Sequence, residues 1–194
     1  MGQRAVFLDR DGTVNRQVGY PNHVSRLHVY PFTAEAIRKL NDRGIPVIVV
    51  TNQSGVARGL YPESVVHETN ARLEEELAGG GAKIDAIYYC PHHPTAGDAP
   101  TACDCRKPET GMADRAAREH DIDLARSFLV GDSPSDIELA RRAGMRSVLV
   151  LTGYGLGEVT YRRELWESEP DCISENLNTA VDWILSRIDK ENDQ

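Results

Sequence analysis

Two carboxylates one residue apart, Asp9 and Asp11, follow directly on the apolar run of residues 5–8, and Gly12 and Thr13 come next. Such a run reads as a buried parallel strand, and ligands of open α/β sheets gather outside the carboxyl ends of their strands. A turn beginning at Gly12 can swing Asp11 back toward the group that Asp9 faces. One aspartate can then attack phosphorus while the other handles protons, provided a divalent cation offsets the charge of a phosphate dianion. Taken alone, Asp9-Arg10-Asp11-Gly12-Thr13 reads equally well as a solvated turn, so the rest of the chain decides.

Three further strand ends point the same way. The apolar run 46–50 empties into Thr51-Asn52-Gln53-Ser54-Gly55, whose hydroxyls and free backbone N–H groups suit phosphate oxygens. Residues 127–130 form another short strand that leads into Gly131-Asp132-Ser133-Pro134-Ser135-Asp136. Ser133 is placed to cap a helix and Pro134 to occupy its first position, which puts Asp132 at the strand tip, where it could complete a cation site with Asp9. Asp136 either favours the helix dipole or orients the metal site from behind. Arg106-Lys107-Pro108 lies in a loop ahead of a helix starting near Gly111. A lysine there would hold several carboxylates and a phosphate together and stay protonated.

Asp9-x-Asp11-Gly12-Thr13, Thr51, Lys107 and Gly131-Asp132-x3-Asp136 follow the order and approximate spacing of the four motifs of the haloacid dehalogenase superfamily, which the chain resembles over nearly its whole length. The resemblance is to the phosphatases of that superfamily. It implies Asp9 as nucleophile and Asp11 as general acid and then base. Thr51 and Lys107 would hold the transferring phosphoryl group. Magnesium would be held by Asp9, the backbone carbonyl of Asp11 and Asp132.

Three of the four cysteines share one loop, as Cys90-Pro91-His92-His93-Pro94 and then Cys103-Asp104-Cys105. A Cys-x-His and a Cys-x-Cys clasp supply four ligands of the kinds zinc prefers, and a closed tetrahedral set makes the site structural rather than catalytic. Such a metal contributes on the order of 10 kcal/mol to ordering its loop. A disulfide or reduced free thiols are the alternatives, and His93 is a rival to His92. Cys172, with no such partners, reads as a small packing residue. The string from Cys90 to Pro108, with Gly19-Tyr20 and residues 51–55, resembles one branch of the superfamily, the heptose-1,7-bisphosphate 7-phosphatases, and also the related histidinol-phosphate phosphatases. The first resemblance implies zinc on Cys90, His92, Cys103 and Cys105, and a contact from Arg106 to the phosphate that stays on the sugar. A sugar bisphosphate is the implied substrate, with Gly19, Tyr20, Thr51, Asn52, Gln53, Ser54, Arg106 and Lys107 around it. Tyr20 could equally pack its own loop.

The elements that must position these residues alternate strand and helix. Strands are expected at 5–8, 46–50, 86–90, 127–130 and 147–151, and helices at 33–43, from about 62 to 79, 112–119, 134–143 and 177–188. This is a doubly wound, Rossmann-like α/β fold with a parallel sheet, for which the resemblance implies the order 3-2-1-4-5. The intervals after the first two strands are too short for an inserted cap domain. Residues 15–31 and the metal loop would therefore form the substrate's walls. At 194 residues the chain suits one domain, taken as 1–189 with a fraying tail at 190–194, which buries roughly 70% of its unfolded surface. Its 22 basic against 30 acidic residues give a net charge of −8, and no basic cluster offers a grip for a nucleic-acid backbone. No apolar stretch reaches membrane-spanning length, nor does any resemble a signal peptide. A cytoplasmic monomer is the expectation.

Overall fold

The computed structural model describes residues 2–96 and 103–193. Residues 97–102 of the predicted metal loop, with Met1 and Gln194, lie outside the described residues. Among the described residues six strands and six α-helices alternate: β1 (Val6–Leu8), α1 (Thr33–Asn41), β2 (Val47–Asn52), α2 (Glu63–Gly79), β3 (Ala86–Cys90), α3 (Gly111–His120), β4 (Phe128–Gly131), α4 (Pro134–Ala143), β5 (Arg146–Val150), α5 (Gly155–Tyr161), β6 (Cys172–Ser174) and α6 (Leu177–Asn192). The strands form one parallel sheet in the order β3-β2-β1-β4-β5-β6. The chain order reverses at β1, which therefore has β2 on one side and β4 on the other, so three strand ends converge beside Asp9.

Alternation along each strand sorts the core into two layers. Val6, Leu8, Val49 and Val130 face one side, where they meet Ile37 and Leu40 of α1, Leu73 and Leu77 of α2, and Val181 and Ile184 of α6. Phe7, Ile48, Val50 and Leu129 face the other, against Met112 and Ala116 of α3 and Leu139 and Ala140 of α4. Each fully buried Leu, Ile or Phe contributes about 1.5–3 kcal/mol. Two well-filled layers therefore clamp the central strands on both faces.

Several elements depart from expectation. The sheet has a sixth strand, β6, beyond the expected order 3-2-1-4-5. Cys172, Ile173 and Ser174 pair with Val148, Leu149 and Val150, and so short a segment with no apolar run carries no strand signal of its own. Cys172 packs, partly buried, against the core. Helix α5 is also additional. Gly155 and Gly157 depress its intrinsic propensity, so its helical form is set by its position over the end of β5. Helix α6 continues to Asn192, past the expected end at Ile188 and into the segment expected to fray, and Glu191 there forms ion pairs with Arg4 and Arg146. Between β1 and α1 the only helical element is a short 3-10 turn, Val24–Arg26, so no separate domain stands over the strand ends there. Among the described residues no helix is long and apolar enough to cross a membrane.

Candidate active site

The chemistry-bearing residues converge where β1, β2 and β4 end. Asp9 follows β1, its backbone N–H donates to the Val130 carbonyl at 2.9 Å, and its side chain is almost wholly buried. Its Oδ1 accepts the Arg10 N–H at 2.7 Å and lies 2.7 Å from Lys107 Nζ. Lys107 reaches this point from the loop between β3 and α3. Its ammonium also sits 2.7 Å from Asp136 Oδ1 and donates to the Val50 carbonyl at 3.0 Å. Its backbone is fixed by Asn52, whose Oδ1 accepts the Lys107 N–H at 3.1 Å and whose Nδ2 donates to the Lys107 carbonyl at 3.3 Å. Asn52 therefore lines the cleft but spends its amide on holding the lysine.

Asp132 stands at the tip of β4, buried, and accepts the Tyr154 N–H at 2.8 Å. Two glycines make room for it. A Cβ on Gly12 would stand 2.0 Å from Asp132 Oδ2, and one on Gly153 1.9 Å from the same atom, and both glycines have positive φ, +99° and +56°. Asp136, in the first turn of α4, accepts from the Ser133 N–H at 3.1 Å and from Ser133 Oγ at 2.7 Å. With one oxygen on Ser133 and the other at Lys107, Asp136 serves as helix cap and lysine anchor together, a combination that neither sequence alternative anticipated.

The electrostatics explain what the cluster lacks. Burial alone would depress Lys107, but the charges of Asp136 and Asp9 outweigh it and hold the ammonium well above its usual range. Burial pushes Asp9 up to about 7, Lys107 opposing and Asp136 adding to the shift. Burial, with the nearby charges of Asp9 and Asp136, pushes Asp132 up to about 8. Oxygens of Asp9, Asp132 and Asp136 lie within 4.8 Å of one another, and one ammonium cannot balance three buried carboxylates. Hard oxygen donors with an unmet need for positive charge fit a divalent cation of the magnesium type.

Asp11 is held differently. Its Oδ2 accepts from Arg10 Nη2 at 2.7 Å and from Gln53 Nε2 at 2.8 Å, and its Oδ1 from Asn15 Nδ2 at 2.9 Å. Burial raises its pKa, but the Arg10 charge and the three hydrogen bonds overcome that and hold it below the usual carboxylate range. Gln53 also donates to Thr51 Oγ1 at 2.9 Å and accepts from the Tyr61 hydroxyl at 3.1 Å. The two aspartates thus have opposite surroundings: Asp9 is pushed toward holding a proton and Asp11 toward giving one up.

A cleft of about 150 Å³ is lined by Asp9, Asp11, Gly19, Tyr20, Thr51, Asn52, Gln53, Ser54, Lys107 and Asp132, together with Gln17, Pro21, Tyr61, Ser133, Ser135 and Tyr154. Arg106 does not line it. Its Nη1 donates to the His92 carbonyl at 3.2 Å, so the arginine stays with the metal loop rather than entering the cleft. Arg58 was not signalled by the sequence. It sits over the Tyr20 ring, 5.8 Å from the centroid, and 2.7 Å from His93 Nε2, linking three loops at the rim. Arg10, Asn15, Gln17, Tyr61 and Tyr154 were likewise missed, and only Arg10 carried a signal, its place between two acids.

The four predicted metal ligands also come together. Cys90 Sγ lies 3.5 Å from Cys103 Sγ and 3.0 Å from Cys105 Sγ, and His92 Nδ1 lies 3.7 Å from Cys90 Sγ and 3.3 Å from Cys105 Sγ. Two of these separations match the roughly 3.5–3.8 Å spacing of ligands around a tetrahedral zinc and two are shorter, and three thiols and an imidazole gathered in one cluster are the donor set that ion takes. The cysteines are free rather than disulfide-bonded. His93 turns away, with Nε2 at Arg58 and Nδ1 accepting the Thr95 N–H at 3.2 Å.

The fold and this site define a class. The model of the haloacid dehalogenase-like hydrolase family matches residues 17–141, and a related HAD-hydrolase-like model matches residues 104–180. The chain belongs to the haloacid dehalogenase-like hydrolase family. Among curated relatives it is 44% identical to the D-glycero-D-manno-heptose-1,7-bisphosphate 7-phosphatase of Thermosynechococcus vestitus, over 97% of this chain and 98% of the relative. It is 41% identical to the D-glycero-beta-D-manno-heptose-1,7-bisphosphate 7-phosphatase of Haemophilus ducreyi, over 95% and 98%. A crystal structure of D,D-heptose 1,7-bisphosphate phosphatase from B. bronchiseptica, complexed with magnesium and phosphate, superimposes with a TM-score of 0.85 at 33% identity, covering 95% of this chain and 99% of that one.

The crowding around Asp132 yields a paired prediction. Gly153→Ala should destabilise the protein by about 1–3 kcal/mol through strain and displacement of Asp132. Gly157→Ala, where an added Cβ meets nothing within 4 Å, should stabilise it by about 0.4–1 kcal/mol. Urea unfolding of both variants measures the two signs.

Proposed function

We propose that this chain is a magnesium-dependent phosphatase that removes the C7 phosphate of D-glycero-D-manno-heptose 1,7-bisphosphate and leaves the heptose 1-phosphate, a step toward nucleotide-activated heptose. The observation that carries the reaction class is the convergence of Asp9, Asp11, Thr51, Lys107 and Asp132 on one cleft. The substrate follows the full-length relatives.

In this reading Asp9 attacks the C7 phosphorus. Its contacts to Arg10 N and Lys107 fall on Oδ1, which leaves Oδ2 to the reacting group and the cation. The P–O bond to C7 breaks as Asp11, a carboxylate in the free site, passes to the departing oxygen a proton that it takes up with the incoming phosphate. Asp11, now a carboxylate, takes a proton from water as that water attacks phosphorus, and the bond to Asp9 breaks to release phosphate. Lys107 and Thr51 hold the phosphoryl oxygens. Asp9, the Asp11 backbone carbonyl and Asp132 would hold magnesium, which would supply charge neutralisation for the approach of a carboxylate to a phosphate. Gln17, Gly19, Tyr20 and Ser54 form the wall along the sugar. The retained phosphate extends toward the rim, where Arg58 and Arg106 stand close enough to His93 to add to the desolvation that holds its imidazole below the usual range.

Zinc on Cys90, His92, Cys103 and Cys105 fixes the loop that carries Lys107, two residues beyond the last ligand. Purified protein should contain one zinc per chain. Cys103→Ser should lower that ratio and raise KM for the bisphosphate by about tenfold or more, a change of at least ~1.4 kcal/mol. Unchanged kinetics in the zinc-depleted variant would detach the metal from the lysine.

The substrate is tested by phosphate release with magnesium from both anomers of the heptose bisphosphate and from histidinol phosphate. The expected result is a kcat/KM preference of ~100-fold or more for one heptose anomer, about 2.7 kcal/mol of transition-state discrimination. Comparable slow rates on all three would leave a phosphatase with a different substrate.

A further inference from the structure

Arg10 lies between the two aspartates, yet its side chain does not line the cleft. It is fully buried. A buried guanidinium carries a desolvation penalty of several kcal/mol, and the carboxylate it pairs with among the described residues is Asp11. Its Nη2 donates to Asp11 Oδ2 at 2.7 Å, while Nη1 donates to Asn70 Oδ1 at 2.9 Å. Because a guanidinium is planar and rigid, an acceptor that fixes one nitrogen also fixes the direction of the other.

Asn70 is the less expected partner. It sits on α2, 60 residues along the chain, at 8% exposure. The buried stripe of that helix runs Val66, Thr69, Asn70, Leu73 and Leu77, so an amide occupies a place where core packing alone would favour an apolar side chain. The other two groups that hold Asp11, Asn15 and Gln53, belong to the loop after β1 and to the loop after β2. Arg10, held by Asn70, reaches the same carboxylate from the buried side.

We infer that Asn70, acting through Arg10, is a positioning residue for proton transfer by Asp11: the helix α2 amide sets the plane of the arginine, and the arginine sets the direction of the carboxyl group that must meet the leaving oxygen. The inference rests on the reading of Asp11 as general acid. Asn70 touches neither the phosphoryl group nor Asp9. Its loss therefore impairs the protonation of a poor leaving group and leaves binding of the substrate and attack by Asp9 in place.

The test compares kcat/KM on two substrates, the heptose bisphosphate, whose alkoxide leaving group needs a proton, and p-nitrophenyl phosphate, whose phenolate leaves without one. For Asn70→Leu, kcat/KM on the sugar should fall about 10–100-fold, within the range that general acid catalysis supplies, while that on the aryl phosphate stays within about threefold. Asn70→Asp, which keeps the acceptor for Arg10, should restore the sugar rate to within about threefold of the parent. Asn70→Ser, too short to reach the guanidinium, provides the same loss should the leucine variant not fold. Asp11→Asn supplies the reference. If it shows the split between substrates and the Asn70 variants do not, the positioning role is wrong. If Asp11→Asn loses both rates equally, the acid assignment beneath it falls instead. Equal losses on both substrates in the Asn70 variants would also overturn the inference, because a general loosening of the core has no preference for the leaving group.

Discussion

Everything in the site depends on one ammonium group. Lys107 Nζ lies between Asp9 and Asp136 with the Val50 carbonyl as a third partner, and it joins the ends of β1 and β2 to the first turn of α4. Three buried carboxylates would otherwise repel one another at distances where low dielectric makes repulsion expensive. With the lysine in place, the remaining negative charge is of a size that one divalent cation can balance. The lysine holds Asp9 in place.

The lysine has a long lever behind it. It is the second residue past Cys105, its backbone is clamped by Asn52, and the three thiols and one imidazole of the metal cluster gather beside it. A loop of this kind cannot bury enough apolar surface to hold a charged side chain to within a fraction of an ångström. The clustered thiols and imidazole at one end and the Asn52 clamp at the other supply what packing does not. The same loop holds Arg106 at the His92 carbonyl and His93 beside Arg58.

Much of this was readable from the chain. Apolar runs ending in Asp9, Thr51 and Asp132 mark three strand ends, and the strand at residues 86–90 and the helix at 134–143 lie within the bounds the sequence suggested. Local patterns are legible where an element is long, apolar and punctuated by caps. What stayed hidden depends on tertiary neighbours. Strand β6 exists because β5 offers an edge, and α5 forms despite its glycines. The contact of Arg106 with the His92 carbonyl was not legible, because an arginine's reach lets it satisfy a nearby carbonyl as readily as a distant phosphate. Arg58 could not be singled out, since its partners Tyr20 and His93 come from other loops. Asn70 lay in an unremarkable helical stretch, and only the buried guanidinium of Arg10 gives it meaning.

The account turns on Asp9 as the group that receives the phosphoryl. The most direct measurement uses the Asp11→Asn variant, in which hydrolysis of the intermediate is slowed. The variant is mixed with p-nitrophenyl phosphate, whose phenolate leaves without an acid, and magnesium, then quenched in acid, reduced with borohydride and mapped by mass spectrometry. Conversion of residue 9 to homoserine is the predicted result, because borohydride reduces an acyl phosphate and leaves a free carboxylate untouched. A reduced or phosphorylated residue elsewhere, with residue 9 still aspartate, would contradict the account.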